Sequence, residues 1–179
     1  MNNKPFLSDK DAEYFFTYMN EVLIPSYNEF KSLMEGNKLK LHNLFSFNSI
    51  IAHAIDYMVF IENKIGSTGR KKALTSFDEK YAVGGTDFIE NKFELIDAVN
   101  NSFKHIELCE NRYKSLIDKY GKLTFLCLKA ESGKIYFEMP DYKFDYARVV
   151  LRPVAAIFDC EIETKEDLIE FIQGEFYGE

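Results

Sequence analysis

Apolar residues recur every three to four positions through roughly the first two thirds of the chain, and only afterwards shorten to strand-like runs. Ser8 precedes an acidic turn and an apolar run, as a helix N-cap does. Tyr14, Phe15, Tyr18, Met19, Val22 and Leu23 continue the spacing and predict a helix to about Glu35, ended by Gly36-Asn37. Pro25 lacks an N–H and crowds the preceding turn, so it is expected to kink or split this helix. A second helix is predicted from Leu41 to Lys64. At ~100° per residue, Leu44, Phe47, Ile50, Ile51, Ala54, Ile55, Met58 and Ile61 share a sector ~140° wide. The opposite sector holds His42, Ser49, His53, Asp56, Phe60 and Asn63, and a Phe on that side predicts neighbours on both faces of a central helix.

A third helix is expected from an N-cap at Thr86, with Asp87 and Glu90 in its first turn, to about Tyr120 before Gly121. Its stripe is Phe88, Ile89, Phe93, Ile96, Val99, Phe103, Ile106, Tyr113 and Ile117. Beyond it the period changes. Leu123 to Lys129 and Ile135 to Met139 predict a hairpin turning at Glu131-Ser132-Gly133. A third strand is expected within Ala147 to Leu151 or Val154 to Ile162, because Pro153 prevents one central strand from spanning both. Thr164-Lys165-Glu166-Asp167 caps a short last helix to about Gln173. The expected fold is α+β and predominantly α. A bundle of long antiparallel helices occupies residues 1–120, and a small β-containing extension with a short terminal helix (121–179) packs on it as one structural unit.

Composition narrows the function classes. The 179 residues are 46% apolar and 28% charged, values of a folded domain rather than a disordered chain. Seventeen Phe and eleven Tyr without Trp imply a core built on rings. A net charge of −7 disfavours broad nucleic-acid or anionic-membrane binding and suits a basic protein partner. Three cysteines without C-x-x-C spacing read as reduced thiols of a cytoplasmic protein, packed as small hydrophobes. The N-terminus has no apolar signal-like core, and no run of eighteen uncharged apolar residues occurs, so neither standard secretion nor a membrane span is expected.

Few residues suggest chemistry. The connector 66–86 holds four of the nine glycines (Gly66, Gly69, Gly84, Gly85) and the cationic triplet Arg70-Lys71-Lys72, an anion-contact or partner-binding candidate. It lacks the P-loop pattern. His53 and Asp56 stand at i and i+3, the spacing that lets two side chains share a ligand. With a ~1.5 Å rise per residue, His53 lies ~16 Å from the connector and His105 ~27 Å, too far apart for one ion, whereas Asn100 at ~20 Å is a better neighbour. A metal would need a carboxylate from the first helix, such as Glu13, Glu21 or Glu29; no metal or cofactor is expected. His53, Asp56, Asn100 and His105 are therefore candidates for a polar helix interface.

A helical bundle with mid-helix His and Asn resembles, in architecture, the HEPN-type domains, many of which cleave RNA. Their signature is an Arg followed four to six residues later by a His. None of Arg70, Arg112, Arg148 and Arg152 is so followed, and no residue role carries over. No Gly-x-Ser-x-Gly elbow is present. Tyr136, Phe137, Tyr142, Phe144 and Tyr146, mixed with Asp141 and Asp145, form either a partner-binding surface led by Tyr142 and Tyr146 or rings that lock the hairpin onto the bundle. The reading is a non-catalytic interaction protein, an acidic domain of the immunity or antitoxin kind. The alternative is a metal- or small-molecule-binding bundle enzyme using the His53/Asp56 face, and the charge-neutral face Ser49/His53/Phe60 would equally serve as a homodimer interface.

Overall fold

The computed structural model describes residues 7–65, 72, 74–75, 91–105, 108, 111–158 and 162–177. Most of the glycine-rich connector lies outside this set, including Arg70, Lys71 and the cap expected at Thr86. So do Cys109 and Cys160. The architecture is predominantly α with a small antiparallel sheet towards the C-terminus, the α+β class expected.

Ser8 caps α1 (Asp9–Tyr18) in a reciprocal box: its Oγ accepts from the Asp11 N–H at 3.1 Å, and its own N–H donates to Asp11 Oδ2 at 3.3 Å. Pro25 does not interrupt the chain's helicity. The five residues before α2 (Ile24–Glu35), Met19–Leu23, wind as a π turn, and Pro25 sits in the first turn of α2. Widening one turn accommodates the ring and the missing N–H at the one place a helix tolerates both. Pro153 receives the same treatment: a π turn at Ala147–Leu151 leads into α6 (Arg152–Ala156).

α3 (Leu41–Ile65) is the centre of the molecule. Leu44, Phe47, Ile51, Ala54, Ile55, Met58 and Ile61 of the expected sector are buried, while His53, Asp56 and Phe60 are exposed. By length and apolarity this helix would also pass for a membrane span, but just over half of its apolar window is buried inside the fold, as a core helix is. α4 (Lys92–Lys104) runs antiparallel beside it: the Phe45 and Phe103 rings lie 3.9 Å apart, and Ser49 Oγ donates to Asn100 Oδ1 at 2.7 Å.

The long third helix expected to Tyr120 is instead two helices. α4 stops at His105, which is extended (φ −128, ψ 132), and α5 is Lys114–Tyr120. Side chains explain the break. Asn101 Nδ2 donates to the Asp97 carbonyl at 2.9 Å, Ser102 Oγ donates to the Val99 carbonyl at 2.7 Å, and the Tyr113 hydroxyl reaches back to Asp97 Oδ2 at 2.8 Å. In one straight helix those sixteen residues would span ~24 Å.

A 3₁₀ turn at Phe125–Cys127 enters the sheet β1 (Leu128–Glu131), β2 (Lys134–Met139) and β3 (Tyr142–Asp145), ordered β1-β2-β3 and antiparallel. Ser132 and Gly133 both take positive φ in the first turn, as a tight two-residue hairpin requires. The expected third strand at Ala147–Leu151 or Val154–Ile162 is overturned. The strand lies earlier, at Tyr142–Asp145, and Asp145 Oδ1 accepts from the Arg148 N–H at 3.0 Å, which starts the helical stretch. Val149 and Val150 follow that local cap rather than their β preference. α7 (Lys165–Tyr177) carries the expected box, Thr164 Oγ1 accepting from the Asp167 N–H at 3.1 Å.

One core cluster gathers residues from Leu7 to Ile172. At its C-terminal end Phe137 stacks on Phe144 (5.1 Å) and Tyr146 (6.2 Å) and meets Tyr120 edge-on (6.1 Å).

Candidate functional site

α1 is bordered by two surface grooves. The groove against α3 has a volume of about 410 Å³ and is lined by Asp11 and Tyr14 from α1 and by His53, Asp56, Tyr57 and Phe60 from α3. Each set repeats at i, i+3 or i+4, so each faces the groove in register. Tyr14 and Phe60 are 51% and 43% exposed, although both are large rings. The groove against α7 has about 530 Å³ and is lined by Asp9, Ala12, Glu13, Phe16, Thr17, Asn20, Glu21 and Lys165, with Lys165 Nζ 2.7 Å from Asp9 Oδ1.

Local chemistry fixes the α1–α3 groove. The Ser8 hydroxyl, donating to Asp11 Oδ2 at 2.7 Å, is the main cause holding the Asp11 carboxyl below its ordinary range. Tyr57 is braced by Tyr18, whose ring lies 4.9 Å away and whose hydroxyl donates to the Ile50 carbonyl at 2.6 Å. Burial, and then the neighbouring Tyr57 and Asp56, push the Tyr18 hydroxyl far up, so it stays a donor. Lys10 Nζ stands 5.5 Å from the Tyr14 ring centre and Lys64 Nζ 5.2 Å from that of Phe60.

The sequence candidates separate. His53 and Asp56 do share one groove, and α1 contributes Asp11 to it rather than Glu13, Glu21 or Glu29. Asn100 does not join them; it is buried and pairs with Ser49. His105 is exposed and outside the helix, so it is no helix-interface residue. Among the described residues no three His, Cys, Asp or Glu side chains are grouped to hold a metal ion. Lys72 is helical and exposed. Tyr146 is corrected outright: it is fully buried, its hydroxyl donates to Asn48 Oδ1 at 2.5 Å, and it offers a partner nothing. Tyr142 is half-buried, edge-on to Tyr120 at 5.0 Å. These tail rings chiefly lock the sheet in place.

Two buried polar clusters escaped the sequence reading. Asn48 bridges the tail and α4, accepting from Tyr146 and donating to the Ile96 carbonyl at 3.1 Å. Asp97 joins Arg112 and Tyr113 at 2.8 Å each, while Asn101 Nδ2 donates to the Tyr113 hydroxyl at 2.7 Å. Burial, then the bond to Asp97, drives the Tyr113 hydroxyl far up. The available signal was a polar residue inside an apolar sector: Asn48 lies one turn after Leu44, and buried Glu62 one turn after Met58.

Comparison with protein-family models, with curated proteins and with solved structures finds no match to this chain.

Proposed function

We propose that the chain is a non-catalytic interaction protein of the cytoplasm, an acidic domain of the immunity or antitoxin kind, and that it docks a basic protein partner across α1. The observation that carries this reading is the pair of grooves flanking that helix. Between them they present Asp9, Asp11, Glu13, Glu21 and Asp56 together with the exposed rings of Tyr14 and Phe60. Rings that bury area while carboxylates set charge complementarity are what a polar docking surface needs. The chain's charge of −7 would speed encounter with a basic partner. The docking surface thus moves from the tail tyrosines to the helical face that His53 and Asp56 share.

Site-specific photocrosslinking tests this. A benzoylphenylalanine at position 14 is expected to capture one dominant basic protein in the native host. The same label at Lys129, exposed on β1, is expected to capture none of it. Equal capture from both positions, or no capture from position 14, overturns the reading.

A further inference from the structure

The α1–α3 groove combines three aromatic side chains, Tyr14, Tyr57 and Phe60, with two carboxylates, Asp11 and Asp56, and one imidazole, His53. Its composition restricts what can occupy it. An apolar side chain closing over the groove would draw both carboxylates further from water while offering them no new hydrogen bond, which is costly. Asp11, His53 and Asp56 line the groove but are not grouped to hold a metal ion, and no other such set occurs among the described residues. A cationic side chain satisfies both halves, because ring faces attract cations through their quadrupole and carboxylates accept charge-assisted hydrogen bonds.

The protein already uses these rings this way. Lys10 stands over Tyr14 and Lys64 over Phe60, each four residues along the same helix, at 5.5 and 5.2 Å from the ring centres. These lysines also add to the forces holding the Asp11 carboxyl low, so positive charge already stands at this rim beside the rings. An incoming cation is therefore held by shape and ring faces as well as by charge. A guanidinium matches that combination best, since it stacks flat on a ring while donating in its plane to a carboxylate. Tyr57, braced by Tyr18 at 4.9 Å, supplies a wall that is already set before binding.

We infer that the α1–α3 groove is a receptor for a single arginine side chain of the partner, stacked among Tyr14, Tyr57 and Phe60 and hydrogen-bonded to Asp11 or Asp56. This rests on the docking reading above, and names what that surface recognises.

The probe is the capped tripeptide Gly-Arg-Gly, with Gly-citrulline-Gly as its neutral near-isostere, titrated into the whole chain while NMR follows the aromatic and His53 signals. The arginine peptide is expected to shift Tyr14, Tyr57 and Phe60 saturably, and the citrulline peptide to bind at least tenfold more weakly. Phe60→Leu is expected to weaken arginine binding about two- to fivefold, the size of one exposed cation–π contact. Asp56→Asn is expected to weaken it as well. Phe60 is 43% exposed, so an unchanged melting curve shows that Phe60→Leu still folds. Equal binding of the two peptides, or arginine-induced shifts confined to the α1–α7 groove, overturns the inference. Failure here is distinguishable from failure of docking. A partner captured from position 14 through a residue other than arginine leaves docking standing and removes the arginine receptor. Arginine binding without any captured partner does the reverse.

Discussion

Removing the Tyr146 hydroxyl should loosen the join between the C-terminal sheet and the helices. Tyr146 and Asn48 are both fully buried and lie 98 positions apart in the chain, so their bond ties the end of β3 to the middle of α3. In Tyr146→Phe the ring still fills its place against Phe137, but Asn48 Oδ1 loses its donor where no solvent reaches it. Orphaning a buried acceptor costs about 1–3 kcal/mol, which for a chain this long lowers Tm by roughly 3–10 °C. Asn48→Leu should cost as much or more, since it orphans the hydroxyl and also gives up the bond to the Ile96 carbonyl. The double variant removes both partners, so its cost should fall at least ~1 kcal/mol short of the sum of the two. Urea unfolding by circular dichroism, at unchanged m-value, measures all three. A Tyr146→Phe protein within ~0.5 kcal/mol of the parent, or strictly additive costs, would refute the buried pairing.

Gly133→Ala is expected to be more damaging. Gly133 sits at φ +73, and an added Cβ would lie 1.8 Å from the Asn37 carbonyl oxygen in the loop between α2 and α3. Left-handed strain and overpacking together give a loss of about 2–5 kcal/mol by the same urea assay, and a loss below ~1 kcal/mol would sink the close approach. Acid should unmask the two capping boxes. Ser8 holds the Asp11 carboxyl, and Thr164 the Asp167 carboxyl, below the ordinary 3.8, so their stabilisation is complete above that value and is lost as pH falls through the lowered ones. The Tm gap between the parent and a Ser8→Ala/Thr164→Ala variant should therefore be full at pH 6 and narrow below pH ~3.8; a gap independent of pH would contradict it. Tyr14→Ser should leave Tm within about 2 °C, because the ring is 51% exposed, yet abolish capture by a crosslinker placed at Phe60; unchanged capture would remove Tyr14 from the docking surface.

What was legible in the sequence was whatever local chemistry decides. The span of α3 follows from its apolar sector, the starts of α1 and α7 from Ser8 and Thr164, and the first hairpin from Ser132-Gly133, whose positive φ only a few residues accept. Pairing across the chain was not written in any local pattern. Periodicity continued α4 through residues where Asn101, Ser102 and Tyr113 instead fold the chain back onto Asp97. β propensity placed a strand at Val149-Val150, where a cap at Asp145 starts a helix. Aromatic density suggested that Tyr146 is surface, but a ring's exposure depends on what packs over it, and here that is Phe137 and Asn48. The candidate site divides the same way. Spacing alone put His53 and Asp56 on one face of α3. Only the packing of α1 against that face brought Asp11 and Tyr14 beside them, and only the packing of α4 on α3 sent Asn100 to Ser49, because the relative rotation of two helices is set by how their side chains interlock.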